Sequence, residues 1–200
     1  MCLNQYFTNN SELQSKKRVI KFNYDSNCFE FISDNGVFSK DKIDFGSITL
    51  LDTYLKNKKE IHNFLDVGCG YGFLSIVLAK ELSISGVGVD VNLRALDLAR
   101  RNAELNQVSV SFKESNIYEN VEGKFDLIIT NPPIRAGKKV VLSILLDAYK
   151  YLEPNGELWA VIRKDQGVKS IIKVLLERYK VEIKEKNKGF YVFCCKNDWQ

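Results

Sequence analysis

Asp66-Val67-Gly68-Cys69-Gly70-Tyr71-Gly72 places a carboxylate and three glycines within seven residues, after an apolar run and before a helical one. Glycine lets a backbone turn tightly and come close to a ligand. At the C-terminal edge of a strand in an open α/β sheet, that is where ligands bind. A second carboxylate, Asp90, ends the next strand eighteen residues after Gly72. There it can accept hydrogen bonds from both hydroxyls of a ribose, which suits an adenosine-type ligand. A dinucleotide fingerprint G-x-G-x-x-G fits Gly68 and Gly70, but its third glycine is replaced by Phe73. Asp66 would repel a diphosphate and welcome a cation, directly or through water. S-adenosylmethionine (SAM) carries an ammonium and a sulfonium, so D-x-G-x-G-x-G favours SAM over a nicotinamide cofactor or a plain structural turn.

A second constellation is Asn131-Pro132-Pro133-Ile134, at the exit of the apolar strand Phe125–Thr130. Two prolines fix φ and remove two amide donors, leaving a rigid loop of carbonyl acceptors. Asn131 adds a side-chain carbonyl. Two acceptors side by side can hold both hydrogens of an –NH2 group while its nitrogen pyramidalises, freeing a lone pair for in-line attack on a sulfonium methyl. Such hydrogen bonds contribute about 1 kcal/mol each, and positioning supplies most of the rate. No general base is needed before attack. A stiff strand-exit turn is the alternative reading of Asn-Pro-Pro taken alone.

These residues need an α/β frame. Val19–Tyr24 alternates, Asp25-Ser26-Asn27 reads as a turn and Cys28–Ile32 as a strand, which predicts a β-hairpin. A short helix is expected over Ser47–Leu55. Strands are expected at Asn63–Val67, Gly86–Asp90, Val108–Phe112, Phe125–Thr130 and Leu158–Ile162, the last opened by Gly156. Helices are expected at Phe73–Leu82, with Leu74, Val77 and Leu78 on one face, and after an Asn92 cap, with Ala95, Leu98, Ala99 and Leu105 on one face. Val141, Leu145, Ala148 and Leu152 mark another helix, and Val168, Ile171, Ile172, Leu175 and Tyr179 a further stripe. Val181–Ile183 and Phe190–Cys195, with no helix between them, should pair as an antiparallel hairpin at the sheet edge. Repeated β-α units predict a mostly parallel sheet with helices on both faces.

Composition narrows the classes. With 200 residues, 45% hydrophobic and only three prolines, the chain suits one domain with a short addition. No apolar run approaches the roughly 18 residues of a membrane span, and Met1-Cys2-Leu3-Asn4-Gln5 lacks the order of a signal peptide. A cytoplasmic protein is expected. The five cysteines, Cys2, Cys28, Cys69, Cys194 and Cys195, include no CxxC pair, so reduced structural thiols are expected and no metal site. The single histidine, His62, reads as structural. Net charge +4 permits a nucleic-acid partner. The excess lies between Arg163 and Lys188, nine basic residues against four acidic, which fits a solvated helix face as well as an RNA footprint.

In their joint order these segments resemble the class I SAM-dependent methyltransferases, and more narrowly the RsmC-like ribosomal RNA guanine-N2 methyltransferases. The supporting segments are Gly36-Val37-Phe38-Ser39, Asp44-Phe45-Gly46-Ser47, Asp66 to Gly72, Glu114 to Tyr118, and Gly123 through Asn131 to Lys138. The resemblance covers about Gly36 to Cys195. It implies a Rossmann-like seven-stranded sheet, mostly parallel, with a C-terminal antiparallel hairpin and a small N-terminal β-hairpin extension. Residues 1–58 would be that extension, on the substrate side, and 59–200 the catalytic domain. It further implies that Asp66, Val67, Gly68, Cys69 and Gly70 hold the methionine part of SAM, and that Asp90 and Val91 hold the ribose. Asn116 and Ile117 would meet the adenine, and Phe38, Gly46 and Ser47 would close over the cofactor. Asn131, Pro132, Pro133 and Ile134 form the catalytic loop, with Asn131 also at the cofactor, and Arg135 and Lys138 would meet RNA phosphate. The implied partner is ribosomal RNA or the small ribosomal subunit.

Two features depart from the family. Its larger members carry a second, degenerate methyltransferase domain at the N-terminus; here only about sixty residues stand there, so RNA docking must use less surface or a partner. Ile134 replaces the aromatic residue common in such loops, where base stacking contributes roughly 1–3 kcal/mol. Adenine, cytosine and glutamine methyltransferases usually have Tyr or Phe there, so the isoleucine leaves guanine N2 ahead. The competing functions are a protein glutamine N5-methyltransferase, a non-catalytic SAM- or RNA-binding module and, more distantly, a nicotinamide oxidoreductase.

Overall fold

The structure, a computed structural model, describes residues 13–197. The expectations placed on Met1 to Gln5, Cys2 included, lie outside the described residues. Arg18–Tyr24 (β1) and Asn27–Ser33 (β2) form a two-stranded antiparallel sheet closed by Asp25 and Ser26. After α1 (Phe45–Asn57), strands and helices alternate. They are β3 (Phe64–Val67), α2 (Phe73–Leu82), β4 (Gly86–Asp90), α3 (Leu93–Leu105), β5 (Val110–Glu114) and β6 (Phe125–Thr130). Then come α4 (Lys138–Asp147), β7 (Leu152–Arg163), α5 (Val168–Leu175), β8 (Tyr179–Asn187) and β9 (Phe190–Asn197).

Among the described residues nine strands make two sheets, the larger in the order β5-β4-β3-β6-β7-β9-β8. Pairings from β5 to β7 are parallel; β7–β9 and β9–β8 are antiparallel. The chain leaves β3 toward β4 and β5, then returns to β6 on its other side. The crevice beyond the carboxyl ends of β3, β4 and β6 is therefore a topological switch point, the place where open α/β sheets bind ligands. Side chains alternate across the sheet. Leu127, Ile129, Trp159, Val161, Val192 and Cys194 join the core under α1, α2 and α3. Ile128, Leu158, Ala160, Ile162, Phe193 and Cys195 join the core under α4 and α5. Both faces are covered, which is why the central strands read as continuous apolar runs.

Several expected boundaries move for physical reasons. Leu152 and Tyr179 continue apolar helical stripes in sequence yet begin β7 and β8. Leu152 packs into the second core, and the Tyr179 hydroxyl donates to the Leu145 carbonyl (3.0 Å) while accepting from the Tyr149 amide (3.0 Å). Burial across a chain reversal thus imitated an i, i+4 stripe. Leu105, assigned to the buried face of α3, is 47% exposed, and Leu96 is buried instead. α2 shows no single apolar face, because every residue from Phe73 to Ala79 is buried. β5 starts at Val110 rather than Val108, and α1 runs two residues longer at each end than expected.

The β1–β2 hairpin is fastened to α3 by side-chain amides. Asn102 Oδ1 accepts from the Ile32 amide (2.7 Å) and its Nδ2 donates to the Ile32 carbonyl (3.0 Å). Asn106 repeats the pattern on Glu30, at 3.1 and 2.8 Å. Four helical residues rise about 6 Å, close to the ~6.7 Å between alternate strand residues. Two asparagines one turn apart therefore occupy the free edge of β2 as a neighbouring strand would. Asn102 Nδ2 also donates to the Tyr71 carbonyl (2.9 Å), tying the hairpin to the glycine loop. Phe22 and Phe31 close the same contact, their rings 5.0 and 5.5 Å from that of Phe73.

Candidate active site

A cavity of about 310 Å³ opens at the carboxyl ends of β3, β4 and β6. That is within the range of roughly 300–1,000 Å³ for small-molecule sites. It collects the two constellations and the β5 turn. Phe38, Ser47, Asp66, Val67, Gly68, Cys69 and Gly70 line it, as do Asp90, Val91, Asn116, Ile117, Asn131, Pro132 and Pro133. Gly46, Ile134, Arg135 and Lys138 do not. Gly46 is buried behind the wall, where an added Cβ would stand 2.7 Å from Phe190 Cε1. Ile134 packs against the second core, and Arg135 and Lys138 are exposed on the surface that follows the loop.

The glycine loop is held from β4. Gly68 and Cys69 amides donate to the Val89 carbonyl, and the Gly70 amide donates to Asp90 Oδ2 at 2.9 Å. Gly72 has φ 90° and leads into α2, where a Cβ would press on Ile76, Ala99 and Phe112. Asp90 Oδ1 accepts from the Asn92 amide (2.9 Å), so backbone donors fix the carboxylate while its remaining lone pairs stay available to the cavity. Burial raises the Asp90 pKa, against these amide bonds.

Asp66 is 1% exposed. Its Oδ2 accepts from Ser75 Oγ (2.5 Å), while its Oδ1 is buried without a partner among the described residues. Burial, with a smaller push from the Asp90 charge, raises its pKa to about 7 despite the Ser75 bond. An orphaned buried carboxylate oxygen on a residue of the cavity wall calls for a donor, directly or through water. The wall also contains Asp44 and Asp90, and among the described residues it contains no Lys, Arg or His. Three carboxylates without a cation disfavour a diphosphate and fit the ammonium and sulfonium of SAM. The Cys69 thiol, pushed well up by burial, is no nucleophile here.

Ile117 adopts φ 56°, a left-handed conformation rare for a β-branched residue. Ser115 enforces it, its Oγ donating to the Ile117 carbonyl (3.1 Å) and accepting from the Asn120 amide (3.1 Å). Such strain persists where surrounding structure over-determines it, often at a binding site.

At the Asn131 loop, Asn131 Nδ2 donates to Asp44 Oδ2 and to Ser47 Oγ, both at 2.9 Å. Asp44 also caps α1 by accepting from the Ser47 amide (2.9 Å). A carboxylate only accepts, so the Asn131 amide must turn its NH2 toward Asp44. Its carbonyl Oδ1 is left as an acceptor in a residue that lines the cavity. Sequence reasoning used Asp44 only as part of a resembling segment. The signal that could have singled it out is an Asp three residues before Ser47 at a helix start, the N-cap pattern. Ser75, the partner of Asp66, had no such signal. His62 sits at the opposite edge of the sheet, 84% exposed and 3.4 Å from Asp126 near the start of β6. No helix among the described residues is long and apolar enough to cross a membrane.

The sequence matches the methyltransferase small domain family over residues 28–194. It is 40% identical over 96% of its length to the uncharacterised Bacillus subtilis protein YbxB, covering 97% of that protein. Over 62% of its length it is 38% identical to a Photorhabdus laumondii ribosomal RNA small subunit methyltransferase C, 37% of which is covered. Over 40% of its length it is 49% identical to a Methanocaldococcus jannaschii protein named for N5-glutamine methyl transfer, 41% of which is covered. The chain thus spans less than half of the latter two relatives. Among solved structures, a T. thermophilus 16S rRNA N2-guanine methyltransferase (RsmC) with AdoMet and guanosine superposes with TM-score 0.82 at 23% identity. That match covers 92% of this chain and 52% of the other. The chain belongs to the methyltransferase small domain family, SAM-dependent methyltransferases of Rossmann-like α/β fold.

Proposed function

We propose that the protein transfers the methyl of SAM to the exocyclic N2 amine of guanine in small-subunit ribosomal RNA. The observation that carries this reading is the Asn131 amide, turned by Asp44 and Ser47 so that Oδ1 is presented as an acceptor. Oδ1 and the Pro132 carbonyl together take the two amine hydrogens. Pro133 stiffens the loop, and Ile134 anchors it to the second core. Asp66 receives the methionine ammonium, with Val67, Gly68, Cys69 and Gly70 cradling that end. Asp90 and Val91 hold the ribose, and Asn116 and Ile117 flank the adenine. Phe38 covers the cofactor, while Gly46 and Ser47 keep the turn beneath it in place. SAM, when bound, supplies a methyl already activated by the sulfonium. The protein's task is then to orient the amine and exclude water; the methylated nitrogen becomes strongly acidic once it takes the methyl, so its proton passes to solvent without a base acting before attack. The division at residue 58 is read as a catalytic domain from residue 59 onward and a substrate-side extension before it, from which Phe38, Ser39, Ile43 and Asp44 enter the cavity wall. Identity to the Photorhabdus ribosomal RNA methyltransferase supports the substrate.

An amide –NH2 fits the same acceptors, and the identity to the M. jannaschii protein favours glutamine as the second reading. Nucleoside mass spectrometry of ribosomal RNA from a strain lacking the protein should show one N2-methylguanosine lost. Unchanged ribosomal RNA together with a lost methylglutamine would decide for the protein substrate.

A further inference from the structure

Of the basic residues between Arg163 and Lys188, Arg163, Lys164 and Lys188 lie at the cavity edge of the sheet, whereas Lys169 and Lys173 lie on α5 and Arg178 and Lys180 at the opposite end of β8. β6 ends at Thr130, in register with Ala160 of β7, and Arg163 at the end of β7 pairs with Phe190 of β9. Phe190 therefore lies two strand spacings, about 10 Å, to the side of β6 and three residues, about 10 Å, beyond the level of Thr130, with the β8–β9 turn just past it. Lys188 and Gly189 form a two-residue turn with φ 45° and 83°, a primed hairpin turn. This tip is seated. The Lys164 amide donates to the Gly189 carbonyl (2.7 Å), and the Phe190 ring packs 5.7 Å from that of Phe45, next to Asp44. Lys188 Nζ lies 4.9 Å from the Phe45 ring centre, and the Arg163 guanidinium 5.5 Å from that of Phe190. Exposed cations are thus held over aromatic rings at the rim of the amine-gripping loop. Arg135 and Lys138, which follow the Asn131 loop, are also exposed, and Lys138 Nζ donates to Ser170 Oγ at the start of α5 (3.3 Å). Among the described residues no carboxylate pairs with Lys164, Lys188, Arg135 or Lys138, whereas Arg163 pairs with Asp165 at 2.9 Å.

We propose that the β8–β9 hairpin tip with Lys164 is an RNA-backbone docking surface, the second bank of a positively charged track whose first bank is Arg135 and Lys138. The inference rests on the RNA reading above. Phosphates on either side of the extruded guanine would meet cations from both banks. The track supplies affinity without reading sequence, as phosphate contacts do.

The test is filter binding of a small-subunit ribosomal RNA transcript to the Lys164→Gln/Lys188→Asn double variant over a salt series; asparagine tolerates the positive φ at 188. Two lost phosphate contacts should flatten the slope of log K against log salt by about 1.4–1.8, and weaken binding roughly tenfold or more near 0.1 M salt. SAM affinity and thermal midpoint should not change, and Lys188→Arg alone should behave as wild type. Unchanged RNA affinity and slope in the double variant, with wild-type methylation of RNA intact, overturns the docking surface but not the amine chemistry. A wild-type protein that binds no RNA, or methylates only protein, overturns both.

Discussion

Replacing Asp44 with asparagine isolates the orientation of the catalytic amide from every other feature of the site. Asparagine caps a helix as well as aspartate does, so α1 and the fold should hold to within about 0.5 kcal/mol. What changes is that an amide at 44 can donate as well as accept, so Asn131 is no longer forced to turn Oδ1 toward the cavity. A hydrogen bond to a charged acceptor contributes about 1.5–3 kcal/mol against about 1 for a neutral one. The difference, on the order of 0.5–2 kcal/mol, corresponds to roughly a 2- to 30-fold fall in kcat. The assay is single-turnover transfer of labelled methyl from saturating SAM to saturating ribosomal RNA, with SAM affinity measured in parallel by calorimetry. Asp44 lines the cavity, so part of any effect could arise from its charge acting on the donor. A double-mutant cycle separates the two. If Asp44 works through Asn131, Asp44→Asn should cost nothing further in an Asn131→Ala background. Losses that multiply across the two substitutions would refute the reasoning.

SAM affinity should depend on pH through Asp66. Its pKa of about 7 leaves it protonated below neutrality, and only the carboxylate pairs with an ammonium. Binding measured by calorimetry should be about fivefold weaker at pH 6 than at pH 7, below the range where the SAM amine itself loses its proton; Asp66→Asn should bind weakly with no pH dependence over that interval. Because that folded pKa lies above the unfolded value, the ligand-free protein keeps this site's contribution to stability below about pH 4 and loses it as pH rises through 7, so thermal stabilisation by SAM should grow over the same interval. Gly46→Ala places a Cβ 2.7 Å from Phe190 Cε1 and 2.9 Å from Asp44 Oδ2. It should lower stability by about 1–3 kcal/mol in denaturant titration and slow methyl transfer. Asn102→Ala strands the Ile32 amide and the Ile32 and Tyr71 carbonyls. It should cost about 3 kcal/mol or more and expose hairpin amides to hydrogen exchange, unlike the milder Asn106→Ala.

The parallel sheet and its ligand edge were legible because local signals agreed: short β-branched runs, glycine turns and the Asn92 cap each pointed the same way. The cavity wall was legible where chemistry and backbone coincide, at Asp66 to Gly70, Asp90 and Asn131 to Pro133. What escaped was long-range. Nothing local marks Asn102 and Asn106 as a substitute strand, since the hairpin they hold lies 70 or more residues away. Asp44 reads as a helix cap, and its second role depends on a residue 87 positions on. Gly46, placed at the cofactor by resemblance, also makes room for Phe190, a contact only the folded hairpin creates. The basic residues after Arg163 could not be divided by sequence between helix face and catalytic rim, because that division depends on the β7–β9 register.

The most direct test of the central claim incubates purified protein with methyl-labelled SAM and small-subunit ribosomal RNA, free and assembled, then digests to nucleosides for mass spectrometry. The account predicts label in N2-methylguanosine alone, at no more than one per small-subunit RNA, with the rate cut steeply but measurably by Asn131→Ala while SAM still binds. Label in a different nucleoside or only in protein, or transfer that survives Asn131→Ala at the wild-type rate, would contradict it.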